Sequence, residues 1–238
     1  MEQYLDMLLK DGAAQYGVQL SEDELSAFTV YKDLLSEWNQ KINLTAIEED
    51  KDVVSKHFVD SLSIIPFLNN SKTLIDVGTG AGFPGLPVKI AKPDLEVVLL
   101  DSLEKRIGFL NKVINELNME KITALHSRAE DTGNSPKYRE KFDAVTARAV
   151  AALPVLLEYC MPLVRIGGIF IAMKGSSLSD KDEAGKALNI LGGTIEEVKE
   201  FYLPGSDMKR NIIVIRKLRQ TPTKYPRKAG KPSKEPLI

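Results

Sequence analysis

The residues in this chain best placed to do chemistry are two acids and four glycines. Between Thr73 and Lys105 an apolar strand ends in Asp76, a turn follows with Gly78, Gly80, Gly82 and Gly85, and a second apolar strand ends in Asp101. Glycines let the backbone turn sharply and approach a ligand where a β-carbon would clash. Gly80, Gly82 and Gly85 satisfy the dinucleotide pattern G-x-G-x-x-G, with Asp101 about 20 residues on. Asp76 argues for another ligand. A pyrophosphate is anionic and prefers bare amides at a helix N-terminus. S-adenosylmethionine carries a sulfonium and an ammonium and no phosphate, and a carboxylate at the strand mouth favours that cation. Asp101 suits either cofactor, because both offer a ribose diol. On the residues alone the plainer alternative stays open: Asp76 holds loop amides and the glycines punctuate a turn.

The elements that must position these groups follow from periodicity. Ser21 with Glu24 forms a capping box, and Leu25, Phe28, Tyr31, Leu35 and Trp38 recur at helical spacing. An earlier helix is expected over Glu2 to Tyr16. A third, near Asp50 to Phe67, brings His57 and Asp60 onto one face. From Thr73 short apolar strands (74–77, 97–101, 122–126, 144–147, 169–173) alternate with helices near Leu86, Glu104, Ala152 and Asp180, which implies a parallel sheet with right-handed crossovers. Strands over 194–202 and 210–217 are joined by too short a turn for a helical crossover, so they form an antiparallel hairpin. The expected fold class is α/β: a Rossmann-like, mostly parallel sheet with a terminal antiparallel hairpin, as in class I S-adenosylmethionine-dependent methyltransferases, with an N-terminal helical cap. The expected domains are 1–70 for the cap, 71–217 for the α/β unit and 218–238 for a tail.

Composition narrows the alternatives. At 238 residues, 43% hydrophobic and 27% charged, the chain can build a substantial core. One cysteine and two histidines supply neither a four-ligand zinc site nor a disulfide framework, so no metal is expected, and Cys160 is read as core filling. The first residues lack a basic segment ahead of their apolar ones and no run reaches 18 apolar residues, so no membrane is expected and the cytoplasm is the expected compartment. The net charge of -1 hides an asymmetry. Residues 216–238 hold eight basic side chains against Glu235, while the rest holds 24 basic and 32 acidic ones. A concentrated basic segment on an acidic body points to a polyanionic partner; a solvated terminus is the plain alternative.

The runs Trp38-Asn39 with Ile42-Asn43-Leu44-Thr45, His57-Phe58-Val59-Asp60-Ser61-Leu62, Asp76 to Pro87, Arg128-Ala129-Glu130, Ala147-Arg148-Ala149-Val150 and Tyr225-Pro226-Arg227-Lys228-Ala229-Gly230 resemble the ribosomal RNA small subunit methyltransferase G family, also called glucose-inhibited division protein B. The resemblance implies methylation of N7 of one guanosine in 16S ribosomal RNA, with S-adenosylmethionine as donor and the RNA or the small subunit as partner. It implies Gly78, Phe83, Ala129, Glu130 and Arg148 as cofactor-binding residues, with Asp101, Ser102 and Leu103 close to the ribose. Asp76, Gly80 and Gly82 join that set from the loop argument.

Guanine N7 carries an in-plane lone pair and no proton, so its attack on a methyl group needs no general base. Arg148 and Lys174, at the carboxyl ends of their strands, are the candidates for positioning the base through O6, phosphate or the cofactor carboxylate, against a structural salt bridge for either. Arg210 and, in the tail, Lys224, Arg227, Lys228 and Lys231 are expected to grip RNA phosphates apart from the cofactor site. His57 and Asp60 could face the cofactor mouth, and Arg128 could pair with Glu130 or a phosphate. A monomer is expected. Two rivals stand: a nicotinamide-dependent oxidoreductase, and a non-catalytic RNA-binding protein on a methyltransferase fold.

Overall fold

A computed structural model describes residues 3–148 and 150–238. The expected helix start at Glu2, and Ala149 of the motif around Arg148, lie outside the described residues. Helices α1 (Gln3–Ala14) and α2 (Glu22–Ile42) come first, and the Ser21–Glu24 capping box is formed, with Glu24 N donating to Ser21 Oγ and Ser21 N to Glu24 Oε2. The expected third helix is irregular. A short α3 (Asp50–Asp52) passes into a π-helical stretch, Val53–Val59, then α4 (Asp60–Leu62) and a 3₁₀ turn, Ile65–Leu68. Widened helical turns are often found at functional sites, and this one carries His57.

The α/β part then runs β1 (Thr73–Val77), α5 (Gly85–Ala91), β2 (Glu96–Asp101), α6 (Glu104–Glu116), β3 (Ile122–His126), α7 (Ala129–Asn134), β4 (Phe142–Arg148), α8 (Leu153–Cys160), β5 (Val164–Lys174), α9 (Gly185–Leu191), β6 (Gly193–Tyr202), β7 (Lys209–Lys217) and α10 (Lys231–Lys234). The sheet order is β3-β2-β1-β4-β5-β7-β6. The first five strands are parallel, and β7 runs antiparallel to both β5 and β6. Strand order reverses between β1 and β4, which opens a crevice at their carboxyl ends.

Alternation along the strands builds a core on each face. On β5 and β7, Ile169, Ile171, Met173, Ile212 and Val214 face one cluster, and Phe170, Ala172, Ile213 and Ile215 face the other. The first cluster also holds Leu5, Leu9, Phe28, Tyr31 and Phe58, so the N-terminal helices share a core with the sheet.

The C-terminal segment is no free tail either. Tyr225 and Leu237 are buried in the second cluster. Lys217, counted above with the basic residues, is buried, donating to Met161 O at 2.6 Å and pairing with Glu140 at 3.2 Å. Burial lowers its pKa to about 8. Arg139 holds the carbonyls of Thr221 (2.7 Å) and Tyr225 (2.8 Å). Arg227, expected to grip RNA, instead makes Nε and Nη2 bonds of 2.6 to 3.1 Å to Glu158, whose side chain is 1% exposed. Removing one partner of such a pair leaves an uncompensated buried charge. Arg227→Ala is therefore expected to cost about 3–5 kcal/mol in urea unfolding; a loss under about 1 kcal/mol, ordinary for an exposed ion pair, would contradict this assignment.

Candidate active site

A cavity of about 550 Å³ lies over the carboxyl ends of β1, β2, β3 and β4, within the size range of small-molecule sites. Gly78, Thr79 and Gly80 line its floor, with Phe83, Asp101, Ser102, Ala129, Glu130, Arg148 and His57 around it. Gly80 has φ +63°, and a β-carbon there would point into open space, so the left-handed backbone and not crowding calls for glycine.

Asp76 is placed otherwise than expected. It is fully buried beneath the loop and does not line the cavity. Its Oδ2 accepts from Thr79 Oγ1 (2.6 Å) and Gly85 N (2.9 Å), while Oδ1 is buried without a partner. Burial raises its pKa to about 6. It sets the shape of the loop and does not touch the ligand space. Gly82 also turns away: its φ is +103°, and a β-carbon would lie 2.4 Å from Leu86 Cδ1 and 2.8 Å from the Tyr31 hydroxyl. The Leu103 side chain is exposed outside the cavity, and its backbone N–H donates to Asp101 Oδ1 at 2.9 Å.

The loop amides bear on the ligand class. Gly78 and Thr79 donate to Leu100 O, Gly80 to Asp101 Oδ2, Gly82 and Phe83 to Thr79 O, Gly85 to Asp76 and Leu86 to Gly82 O. Helix α5 follows Pro84, which has no N–H. A diphosphate needs free amides at such a helix start, and here the glycine amides and that of Leu86 are spent within the protein.

At the other end Arg148 is the centre of a network. Its Nη1 donates to Lys56 O (3.2 Å) and Asp60 Oδ2 (3.3 Å), and its Nη2 lies 3.1 Å from His57 Nδ1. A guanidinium only donates, so Nδ1 accepts and the His57 proton sits on Nε2, which donates to Thr45 Oγ1 at 2.8 Å. Burial, reinforced by Arg148, lowers the His57 pKa to about 3. The imidazole stacks on Phe83 with centroids 4.3 Å apart, and the Arg148 guanidinium stands 5.0 Å from the same ring centre. Burial likewise lowers the Arg148 pKa, against the pull of Asp60. Three of its five N–H groups are committed, leaving two for a ligand.

A second cavity, about 350 Å³, adjoins the first and shares His57 and Arg148. Lys56, Asp60, Lys174, Phe201, Arg210 and Asn211 also line it. Lys174 does not reach the first cavity; it donates to Asp180 Oδ2 at 2.6 Å and Ala151 O at 3.3 Å. Arg210, expected on RNA phosphate, donates to Asp60 Oδ1 at 3.2 Å. Asp60 thus joins an arginine of β4 to one of β7. Glu130 accepts from Gly230 N at 3.0 Å instead of pairing with Arg128, whose guanidinium has no hydrogen bond or ion pair among the described residues.

Sequence reasoning missed Tyr31, Thr45, Tyr159, Gly230 and Ser233. Tyr31 was read as core; its hydroxyl donates to Ala81 O at 2.5 Å and so props the glycine loop from α2. The other four line the cavity.

The model of the family described as rRNA small subunit methyltransferase G (GidB) matches residues 24–213. The chain belongs to this family. It is 60% identical over 234 residues to the ribosomal RNA small subunit methyltransferase G of Acetivibrio thermocellus, covering 98% of this chain and 97% of the relative. It is 53% identical to that of Alkaliphilus oremlandii, covering 97% and 98%. Among solved structures, a mutant form of the 16S rRNA (adenine(1408)-N(1))-methyltransferase from Catenulisporales acidiphilia aligns with a TM-score of 0.52 at 16% identity, covering 62% of this chain and 86% of that one. Geranyl diphosphate C-methyltransferase from Streptomyces coelicolor, in complex with S-adenosyl-L-homocysteine, aligns at 0.54 and 11%, covering 66% and 77%. At those identities the likeness is one of fold, the class I methyltransferase fold.

The residues present fit S-adenosylmethionine, the cofactor of the family. Across the strand order β3, β2, β1, β4 the cavity offers an acceptor at Glu130, a second at Asp101, the glycine floor, and a cation at Arg148. Three strand spacings span about 14 Å, the scale of a nucleoside joined to an amino acid. Asp101 accepts from Gly80 N, Leu103 N and Arg106 Nη1, which leaves about one of its four acceptor sites, on Oδ1, for a ribose hydroxyl.

Two outcomes follow. Asp76→Asn, which keeps an acceptor for Thr79 and Gly85, is expected to hold S-adenosylmethionine within about threefold, and Asp76→Ala to weaken it about tenfold or more in calorimetry. Equal loss in both variants would restore a direct charge role. Unfolded His57 takes a proton below about pH 6.5, folded His57 only near 3. The unfolded state then binds more protons, so His57 lowers stability as pH falls through that window. Asp76, at about 6 folded against 3.8 unfolded, acts in the opposite sense between those values. The stability gap between wild type and His57→Gln should therefore narrow from pH 7 to pH 4.5 in urea titrations, and a pH-independent gap would rule the assignment out.

Proposed function

We propose that this protein transfers a methyl group from S-adenosylmethionine to N7 of a guanosine in 16S ribosomal RNA. The observation that carries it is the cavity graded from two acceptors to a cation over a glycine floor whose amides are unavailable to phosphate. Family membership supports the RNA substrate, and the relatives' full-length coverage extends it to the whole chain. A nicotinamide cofactor would need the amides that Asp76, Asp101 and Thr79 already hold.

When bound, S-adenosylmethionine supplies an electrophilic methyl on sulfur. Glu130 and Asp101 would hold the nucleoside, and the two spare donors of Arg148 its carboxylate. The second cavity, reached past His57 and Arg148, would receive the target base, and RNA enzymes commonly take such bases from loops or ends, where unstacking costs a few kcal/mol. Its lining offers Phe201 as an apolar ring and two cations drawn onto carboxylates, Lys174 onto Asp180 and Arg210 onto the Asp60 that it shares with Arg148. That pairing holds the cations back from N7. His57 is no general base, since both ring nitrogens are engaged, and N7 asks for none. Holding the reactants in line can supply about 7–11 kcal/mol.

Of the cations expected on RNA, Lys224, Lys228 and Lys231 remain on the surface, Lys224 over the Tyr225 ring and Lys231 3.6 Å from Glu235. The same reading has the protein acting as a monomer, in the cytoplasm where ribosomal RNA resides. Labelled cofactor incubated with 16S RNA or small subunits from a strain lacking the gene should yield 7-methylguanosine by nucleoside mass spectrometry. Label at any other position would overturn the N7 assignment. Reversing Lys224, Lys228 and Lys231 to Glu should reduce the slope of log affinity against log salt by about 0.7 per lost phosphate contact on single strands, and an unchanged slope would remove them from the interface.

A further inference from the structure

The wall of the cofactor cavity at its β3 end comes from the far end of the chain. Gly230 and Ser233 line it together with Tyr159 of α8. Gly230 N donates to Glu130 Oε1 at 3.0 Å, and Glu130 is 5% exposed. The Ser233 and Tyr159 hydroxyls are 2.8 Å apart. The segment is fixed on both sides of these contacts. Before them, Arg227 is locked to Glu158, and Asn134 Nδ2 of α7 donates to Pro226 O at 3.1 Å. A β-carbon at Gly133 would come 3.0 Å from Pro226 Cγ, so α7 is shaped to admit the segment. After them, Leu237 is buried and Lys186 Nζ donates to Ile238 O at 2.9 Å.

We propose that residues 227–233 are a working part of the cofactor site, a clasp that closes the purine end of the cavity and, through the Gly230 N–H, positions the Glu130 carboxylate to accept from the adenine amine. The proposal rests on the reading of this cavity as the S-adenosylmethionine site. Glu130 stands at the start of the short helix α7, and one oxygen is committed to Gly230. A carboxylate so held keeps its remaining acceptor sites in one orientation, which favours an amine over a carbonyl at the purine's C6. Gly230 takes φ +79° with nothing within 4 Å of a β-carbon, so glycine there serves the backbone turn that aims its N–H. Gly230 and Ser233 are thus positioning residues, and the segment contributes to cofactor affinity independently of its outward lysines.

The test compares two ligands, S-adenosylhomocysteine and S-inosylhomocysteine, which differ at that C6 substituent, by calorimetry. The full chain should prefer the adenosyl compound by about tenfold or more, the scale of a hydrogen bond to a charged acceptor. A chain ending at Ala229, shown folded by circular dichroism, should bind S-adenosylhomocysteine about tenfold more weakly or worse, and the preference should fall toward unity. Unchanged affinity, or weaker affinity with the preference intact, would overturn the proposal, because a merely stabilising segment leaves discrimination alone. Ser233→Trp, which keeps every lysine, provides a second arm whether or not the shortened chain folds. It should lose S-adenosylhomocysteine by a similar factor while binding 16S RNA within about twofold of wild type. Undiminished cofactor binding in Ser233→Trp would equally overturn it. Absence of binding by the wild type to either compound would instead overturn the cofactor reading itself.

Discussion

The functional end of this molecule depends on one buried guanidinium. Arg148 stands at the carboxyl end of β4, and its donors reach Asp60, the Lys56 carbonyl and His57, all on the irregular helix that precedes the sheet. A buried charge is tolerated only when paired and hydrogen-bonded, so the helix and the strand end must meet at this point. The same side chain lines both cavities. Asp60 extends the connection to Arg210 on the antiparallel hairpin, so one carboxylate holds the N-terminal helices against two strands. The boundary between the cofactor space and the second cavity is therefore set by electrostatics, with Phe83 and His57 stacked along it.

The second constraint is the glycine loop. Its selectivity does not come from a carboxylate facing the ligand. Asp76 and Asp101 draw the loop amides inward, and Tyr31 holds the Ala81 carbonyl from the other side. A loop whose glycine amides are all engaged within the protein offers little to a diphosphate. The conclusion reached from Asp76 as a point charge therefore holds for a different reason: the acid acts by taking donors away.

The C-terminal charges show how a linear count misleads. Eight basic side chains among the last residues suggest a polyanion-binding tail, yet Lys217 is buried, Arg216 pairs with Glu196, Arg219 donates to the Asn189 carbonyl and Arg227 is locked to Glu158. Each is matched by an acceptor distant in sequence, and the segment they fasten completes the cavity wall.

The sequence by itself determined the α/β class, the seven strands with their parallel and antiparallel senses and the capping box of α2, which are local matters of periodicity and turn chemistry. The loop and strand ends pointed to Gly80 and Asp101, and the family resemblance to Gly78, Phe83, Glu130 and Arg148; all six line one cavity. The π-helical turn around His57, the short helix α7, the burial of Asp76 and the fate of the basic residues were decided only by tertiary structure. Each depends on which atoms lie opposite in space: a carboxylate beneath a loop or beside a solvent-filled cleft is the same letter in the chain. Burial and partners, which set its proton affinity and its role, come from residues as far apart as Glu130 and Gly230.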